Sequence, residues 1–470
     1  MRSFTILFLS FVALASSAYA QSALPPAVST ALARAKVPLE AVALQVVAAD
    51  GQTAPRLSHR ADVPMNPAST MKLVTTYAAL DTLGPAFVWA TTVHMDGTVK
   101  DGTLQGNLYI KGQGDPKLVL ERLWLLLRRV QGLGVKTIAG DIVLDRSAFE
   151  TVAPNPRDFD GEPLRPYNAA PDALLLNFKS FVLTFVPDRA AQVARVNFEP
   201  PLAGVQMQAS VPLVNGDCND YRAALKADMS DANRIRFGGT YSASCGEKVW
   251  SLAYTEPASF SARAVEGVWR EMGGQLAGRM REGQVPNRLP ATFSVNSETL
   301  AETIRDINKF SNNVMAQQVF LTLSLQAKGV GTVAGSRALV QDWWRDRMGI
   351  AQPPVLDNGS GLSRTERISA EALSRLLQSA WASPLMPELM SSLPIVGVDG
   401  TLKRIKGKAS GSAHLKSGSL RDVVALAGYV HALSGQRYVL VAIVNHPNAQ
   451  AARPALEALV EWSVRDMNQR

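Results

Sequence analysis

The 470-residue chain contains few of the side chains that hold metals or build disulfide frameworks. It has two cysteines and five histidines, and none of them stands at metal-ligand spacing, so the sequence predicts no metal and no cofactor. Lysine and arginine give a formal net charge of +8, but they are scattered instead of clustered with aromatics, which argues against nucleic-acid binding. Internal repeats and low-complexity tracts are also missing, which is typical of an ordinary globular protein.

Only one long apolar run is present, and it stands at the start of the chain. Residues 4–15 are apolar, Met1-Arg2 is a short basic segment before them, and Ala18-Tyr19-Ala20 has the small-x-small pattern of a cleavage site. The run is too short to cross a membrane. We therefore expect residues 1–20 to be a signal peptide and the mature protein to be periplasmic, with at most peripheral membrane association.

Cys218 and Cys245 are the two cysteines, and both lie in the middle of the chain. In an exported protein a lone pair of cysteines is more often a disulfide than a metal or catalytic site. We expect a disulfide that closes a loop there.

Ser69-Thr70-Met71-Lys72 is the stretch with the clearest chemical meaning, and Ser69 is the one serine followed by lysine three positions later. An apolar, helix-compatible run follows and stops at Gly84-Pro85, which predicts that Ser69 begins a helix and Lys72 lies one turn later on the same face. A lysine with a lowered pKa can accept the proton of the serine hydroxyl and make it a nucleophile. The alternative is a helix-capping serine followed by a solvated lysine.

A second motif, Ser311-Asn312-Asn313, falls between two predicted helices. Polar residues at such a junction are ordinarily caps and turns. Beside a Ser-x-x-Lys motif, Ser311 gains a role in passing a proton to the leaving group, and Asn313 a role in holding Lys72 or the substrate amide by hydrogen bonds.

A third motif, Lys416-Ser417-Gly418-Ser419, precedes a predicted strand at 423–431. Its ordinary reading is a turn with a solvated lysine. As part of a site, Lys416 and Ser417 would bind a terminal carboxylate, and Gly418 would permit close approach of the backbone. The amide of Ser419 would join that of Ser69 in an oxyanion hole.

The coarse pattern predicts a helix-strand piece at each end of the chain and a strand-rich middle, roughly 87–291, inserted between them. This pattern indicates one sheet-and-helix domain split by an insertion. The predicted helices are 28–36, 115–132, 298–309, 314–326, 333–348, 370–381 and 454–466, and the main predicted strands are 43–48, 56–60, 138–144, 423–431 and 438–445.

The three motifs, in this order, resemble those of the class C low-molecular-mass penicillin-binding proteins, the D-alanyl-D-alanine carboxypeptidase/endopeptidases. The likeness covers nearly the whole mature chain. Two departures are Lys-Ser-Gly for Lys-Thr-Gly, which keeps the hydroxyl, and Gln317 at a position where a glutamate is expected. Further stretches that read like the family are Gly112-Gln113-Gly114-Asp115-Pro116, Tyr167-Asn168-Ala169-Ala170-Pro171, Asp357-Asn358-Gly359-Ser360-Gly361-Leu362-Ser363-Arg364 and Val398-Asp399-Gly400-Thr401-Leu402.

The resemblance implies an α/β (α+β) fold with a β-lactamase/transpeptidase-like domain, a β-rich inserted domain and a third domain nested in the second. The implied divisions are 21–86 with 292–470, 87–172 with 248–291, and 173–247. It also implies that Asp145 reads the free amino end of the peptide side chain and that Arg364 lies at the same cleft. The alternatives are a turn-capping Asp145 and a surface ion pair at Arg364.

By the same resemblance, the chain is a penicillin-sensitive serine hydrolase that cuts D-Ala-D-Ala or D-Ala-diaminopimelate bonds through an acyl-enzyme on Ser69. Its substrates would be peptidoglycan peptides, and β-lactam antibiotics would be covalent inhibitors. A serine β-lactamase or esterase on the same scaffold would instead turn penicillin over rapidly. A catalytically idle wall-binding protein would bind peptidoglycan without needing Ser69.

Overall fold

The structure is a computed structural model that describes residues 23–150, 155–349 and 353–466. The expected signal peptide lies outside these residues. Within them, no helix has both the length and the apolar character needed to cross a membrane. The helices are α1 (Pro26–Arg34), α2 (Lys72–Leu83), α3 (Leu120–Gly132), α4 (Tyr221–Leu225), α5 (Phe260–Glu271), α6 (Leu300–Phe310), α7 (Asn313–Lys328), α8 (Val333–Met348), α9 (Ala370–Trp381), α10 (Met386–Ser392) and α11 (Arg453–Val464).

The strands are many and mostly short. They are β1 (Val42–Ala48), β2 (Leu57–His59), β3 (Val88–Met95), β4 (Val99–Lys100), β5 (Thr103–Leu104), β6 (Leu108–Lys111), β7 (Thr137–Ile138), β8 (Ile142–Asp145), β9 (Ser180–Asp188), β10 (Val193–Glu199), β11 (Gln206–Met207), β12 (Ser210–Val214), β13 (Ala227–Asp231), β14 (Arg234–Phe237), β15 (Tyr241–Ser242), β16 (Lys248–Ala253), β17 (Gln275–Leu276), β18 (Met280–Glu282), β19 (Phe293–Thr299), β20 (Ala413–Leu420), β21 (Val423–His431) and β22 (Arg437–Asn445).

A five-stranded antiparallel sheet joins the two ends of the chain, in the order β2-β1-β22-β21-β20. Every residue of β1 is buried, because one face of the sheet packs on α1 and α11 and the other on a core built with α2, α6, α7 and α9. Burial on both faces explains why β1, β21 and β22 read as continuous apolar runs. The strand β20 is left at the edge of this sheet.

The middle of the chain forms four further sheets around a separate apolar core. Their orders are β18-β8-β6-β3-β19, β17-β7-β5-β4, β15-β12-β10-β9-β16 and β11-β14-β13. The chain enters this region through β3 and leaves it through β19, and these two strands pair antiparallel, with Val88 opposite Thr299. Entry and exit are therefore neighbours in space.

The mixed α and β architecture agrees with the prediction from sequence, and the predicted disulfide Cys218–Cys245 is confirmed. The single strand predicted at 138–144 is wrong, because the structure has two strands there. β7 and β8 belong to different sheets, and residues 139–141 connect them. The helix predicted from residue 115 begins at Leu120, because residues 116–117 form a turn and Leu118 forms a β-bridge with Leu176. Sequence patterns also missed α5, β19 and β20.

The division into three domains stays a prediction. One strand pairing concerns a predicted boundary, the one at 247/248. The strand β16 starts at Lys248, just after that boundary, but it pairs with β9, which lies before it. The sheet of β9 therefore extends across the predicted boundary.

Candidate functional site

Ser69 stands in a 3-10 turn, Ala68–Met71, that runs directly into α2. Ala68 has a left-handed backbone with φ of 47°, a conformation that costs a non-glycine residue free energy unless its surroundings impose it. Here Asn66 supplies that support: its side-chain oxygen accepts the amide of Ala68 at 2.9 Å, and its amide nitrogen donates to the carbonyl of Ser363 at 2.9 Å. The side chain of Asn66 thus joins the turn that carries Ser69 to the segment that contains Ser363.

Lys72 is fully buried, and its Nζ lies 2.9 Å from Ser69 Oγ and 2.6 Å from Asn313 Oδ1. Nζ also donates to the carbonyl oxygen of Ser360. Amide oxygens only accept, so two N–H groups of the amine point at Asn313 and Ser360. In the neutral amine, which has two N–H groups, the remaining lone pair faces Ser69 Oγ. This arrangement suits removal of the hydroxyl proton.

The surroundings of Lys72 favour this neutral form. Burial lowers the pKa of Lys72 well below its ordinary value, the charge of Lys416 lowers it further, and the carboxylate of Glu366 raises it in part. A buried lysine with a lowered pKa is a general base at pH values where a solvated lysine is protonated.

The Ser311–Asn313 motif lies at the junction of α6 and α7, as predicted. Ser311 ends α6 with a left-handed backbone (φ 58°), and the Asn312 side chain accepts the amide of Met315 at 3.1 Å, which caps α7. Asn313 Nδ2 donates to the carbonyl of Tyr167 at 3.3 Å. That bond orients the amide of Asn313 so that its oxygen faces Lys72.

Lys416 lies within the edge strand β20, where its side chain is fully buried. Its Nζ donates to Ser311 Oγ at 2.9 Å and to the carbonyl of Ser417 at 2.8 Å. Burial lowers the pKa of Lys416 to about 7, so its ammonium gives up a proton near neutral pH. The Ser417 hydroxyl lies 2.6 Å from that of Thr401, at the exposed side of the strand.

Two glycines allow the backbone to close around the Ser69 turn. A Cβ on Gly418 would lie 2.7 Å from the carbonyl oxygen of Pro67, and a Cβ on Gly361 would lie 2.0 Å from that of Ala68. Gly361 also has φ of 78°. Close approach of β20 and of the 357–364 loop therefore requires glycine at both positions, and it places exposed Ser419 just beyond the turn.

Arg364 lines a cavity of about 500 Å³ together with Tyr167, Ser311, Asn313 and Ser419. The guanidinium packs over the ring of Phe159 at 4.9 Å and lies 3.6 Å from Asp422. Arg364 thus lines the same cavity as Ser311 and Asn313 and also forms the exposed ion pair that was the alternative interpretation, while its expected role in substrate binding stays a prediction.

Asp145, unlike Arg364, does not line this cavity. It is buried at the end of β8, where its carboxylate accepts hydrogen bonds from the amides of Ser147 and Val285 at 3.0 and 2.9 Å. Lys111 lies 3.8 Å away. Neither these contacts nor its bond to the Ser147 hydroxyl joins Asp145 to the cluster around Ser69.

Sequence reasoning missed Glu366, which is fully buried beside this cluster. Its Oε1 accepts the amides of Asp357 and Gly359 at 3.0 and 3.2 Å, which holds the loop whose Ser360 carbonyl receives Lys72. Burial raises the pKa of Glu366 to about 7. In sequence it stands between Thr365 and Arg367, a setting typical of a solvated ion pair, so no local pattern pointed to it.

Glu366→Gln should change how the free energy of unfolding depends on pH. The folded wild type keeps the proton of Glu366 until about pH 7, whereas the unfolded chain loses it near pH 4.5, so burial of the carboxylate costs stability as pH rises between these values. Relative to wild type, the variant should gain up to about 3 kcal/mol between pH 4.5 and pH 8. Urea unfolding at several pH values measures this.

The matched control for that experiment is Glu371→Gln, since Glu371 is a surface residue paired with Arg375. It should show no such pH-dependent gain. Parallel stability curves for wild type and Glu366→Gln would contradict the expectation.

The chain is similar to known proteins over most of its length. Residues 25–465 match the family model described as the D-Ala-D-Ala carboxypeptidase 3 (S13) family. The D-alanyl-D-alanine carboxypeptidase DacB of Haemophilus influenzae is 25% identical over 390 residues, 80% of each chain. A D-alanyl-D-alanine carboxypeptidase of Actinomadura sp. is 27% identical over 439 residues, 89% of this chain and 80% of that one.

Among solved structures, penicillin-binding protein 4 (DacB) of H. influenzae matches with a TM-score of 0.72 and 23% identity, covering 92% of this chain and 99% of that one. The same H. influenzae protein in complex with a β-lactam matches with a TM-score of 0.69. This likeness shows that the two chains share a fold.

Proposed function

The chain belongs to the D-Ala-D-Ala carboxypeptidase 3 (S13) family, and we propose that Ser69 is the nucleophile of its serine-type carboxypeptidase and endopeptidase activity. One observation carries the proposal: the Lys72 amine, whose pKa is lowered by burial, lies 2.9 Å from Ser69 Oγ and is held there by Asn313 and Ser360.

In the first step, Ser69 Oγ attacks the carbonyl carbon of the bond to be cut, and its proton passes to the lone pair of Lys72 Nζ. The carbonyl oxygen becomes an oxyanion, for which the amides of Ser69 and Ser419 are the proposed donors. The close packing of β20 on the Ser69 turn, which Gly418 permits, supports this pairing of amides.

In the second step, the tetrahedral intermediate collapses and the leaving amine takes a proton. Ser311 is the proposed donor, a role supported by the 2.9 Å between its hydroxyl and Lys416 Nζ and by the burial that lowers the pKa of Lys416 to about 7. Water then attacks the ester carbon and its proton restores Lys416 through Ser311, Lys72 returns its proton to Ser69 Oγ, and the peptide acid is released. Ser417 and Lys416 are the proposed ligands of the substrate's terminal carboxylate.

The proposed substrates are peptidoglycan peptides, in the periplasm, and β-lactams are the proposed covalent inhibitors. A β-lactam complex of the H. influenzae relative supports the last point. The exported character expected from residues 1–20 supports the location, since the peptidoglycan of a cell wall lies outside the cytoplasmic membrane.

The test is to incubate the purified mature protein with a reporter penicillin and to measure its intact mass and the modified peptide. We expect a long-lived adduct on Ser69. Rapid turnover of penicillin without an adduct would favour a β-lactamase or esterase, and neither adduct nor turnover in a folded protein would favour an idle wall-binding protein.

A further inference from the structure

A second cavity, of about 490 Å³, adjoins the cavity that contains Arg364. Ser311 and Ser419 line both this cavity and the one that contains Arg364. Ser417 and Thr401 line the second cavity but not the first. Since Ser311 and Ser417 are the groups proposed to serve the leaving residue, the second cavity continues from the leaving-group side of the scissile bond.

The wall of this cavity is basic. Arg404 and Arg453 line it, and Glu457 is the only carboxylate among its lining residues in the described part of the chain. Two arginines therefore face one carboxylate in this lining. Arg453 stands at the start of α11 and donates to Ser419 Oγ at 3.0 Å. This bond joins the basic side of the cavity to β20.

Arg404 is exposed, and among the residues that the structure describes it has neither a carboxylate within 4.0 Å nor a hydrogen-bond partner. It belongs to a short segment rich in cations that follows the Thr401 contact. Its neighbours Lys403, Lys406 and Lys408 are exposed as well and likewise lack an ion-pair partner in the described chain. A cation that is not neutralised by the protein is available to an anionic ligand.

We propose that this basic cavity binds an acidic peptide as the leaving group, and that Arg404 makes the protein favour cross-linked peptides over peptides that end in D-Ala-D-Ala. The proposal rests on the function proposed above and specifies its substrate class. In a carboxypeptidase reaction the leaving group is one alanine, whose carboxylate Ser417 and Lys416 suffice to bind. In an endopeptidase reaction a second peptide leaves, and its further carboxylates extend into the space lined by Arg404 and Arg453.

The size of the cavity agrees with this assignment. About 490 Å³ falls in the range of pockets that hold ligands much larger than one amino acid. A single D-alanine at Ser417 would leave most of that volume, and both arginines, without a ligand group.

The experiment compares Arg404→Glu with Lys403→Glu on two substrates: a monomeric peptide ending in D-Ala-D-Ala and a cross-linked peptide dimer. The two variants carry the same change of charge one residue apart, but only Arg404 lines the cavity. We expect Arg404→Glu to lower kcat/KM for the dimer about fivefold to tenfold and to leave monomer hydrolysis and penicillin acylation within about twofold. Added salt should weaken dimer cleavage by wild type more than monomer cleavage.

Each outcome decides the question. A selective loss on the dimer in Arg404→Glu, absent in Lys403→Glu, supports the proposal. Equal effects of the two variants, equal loss on both substrates, or a wild type that cleaves only the monomer would overturn it while the penicillin adduct on Ser69 still upheld the proposed function. Absence of that adduct in wild type is the separate result that would remove the proposed function itself.

Discussion

Ser69→Ala is expected to abolish the covalent penicillin adduct and to lower peptide hydrolysis by about 10⁵-fold or more, the scale seen when a serine nucleophile is removed. The change deletes one hydroxyl and leaves Lys72 with its acceptors Asn313 and Ser360. The variant should therefore keep its melting temperature and still bind substrate without cutting it. Intact mass after exposure to a reporter penicillin, together with single-turnover hydrolysis, measures both effects.

The matched control is Ser311→Ala, which also removes one serine hydroxyl from the cluster, the one that contacts Lys416. Because Ser311 is proposed to carry a proton and not to form the bond, this variant should still form the adduct on Ser69, only more slowly. Full activity in Ser69→Ala, or an adduct on another residue of that variant, would remove Ser69 from the mechanism.

Lys72→Met should lower the acylation rate by about 10³-fold or more, since Ser69 then has no base at 2.9 Å to take its proton. Methionine is close to lysine in length and needs no solvation, so the buried site should still be filled. The loss should appear in kcat with little change in KM, because Lys72 is proposed to take the proton of Ser69 and is not among the proposed ligands of the substrate carboxylate. Stopped-flow acylation and steady-state hydrolysis give the two quantities.

Lys72→Arg distinguishes the charge of this side chain from its basicity. Arginine keeps a cation at the position but does not lose its proton in proteins, so it cannot act as the base. We expect this variant to be as slow as Lys72→Met. Substantial acylation in Lys72→Arg would mean that a positive charge near Ser69, and not proton transfer to Lys72, is what the reaction needs.

The parts of the site that depend on local chain geometry were predictable from sequence. Ser69 and Lys72 are one helical turn apart, and the Ser311 motif falls at a junction between two helices that their apolar periodicity indicates. The chemistry of these residue types then limits their roles. The strands β1, β21 and β22 were predictable for a related reason, since burial on both faces leaves an unbroken apolar run.

What sequence could not supply is contact between distant segments. The carbonyl of Tyr167 that orients Asn313 lies 146 positions away, and that of Ser360, which receives Lys72, lies 288 positions from the lysine. Nothing in the local sequence indicates that Glu366 is buried, and only the fold around it raises its pKa to about 7. The edge strand β20 carries polar residues on its exposed side and was missed, although Lys416 within it was predicted to be functional.

The pairing of β3 with β19 affects how the stretch of chain between them can change during evolution. Val88 and Thr299 lie opposite each other, so the long stretch between them begins and ends at one point of the fold. Such a stretch can be gained, lengthened or exchanged during evolution without moving the elements on either side of it. This freedom is limited by the contacts that the stretch makes with the rest of the chain, such as the Tyr167 carbonyl that accepts from Asn313 and the Asp172 backbone that pairs with the Gln318 side chain.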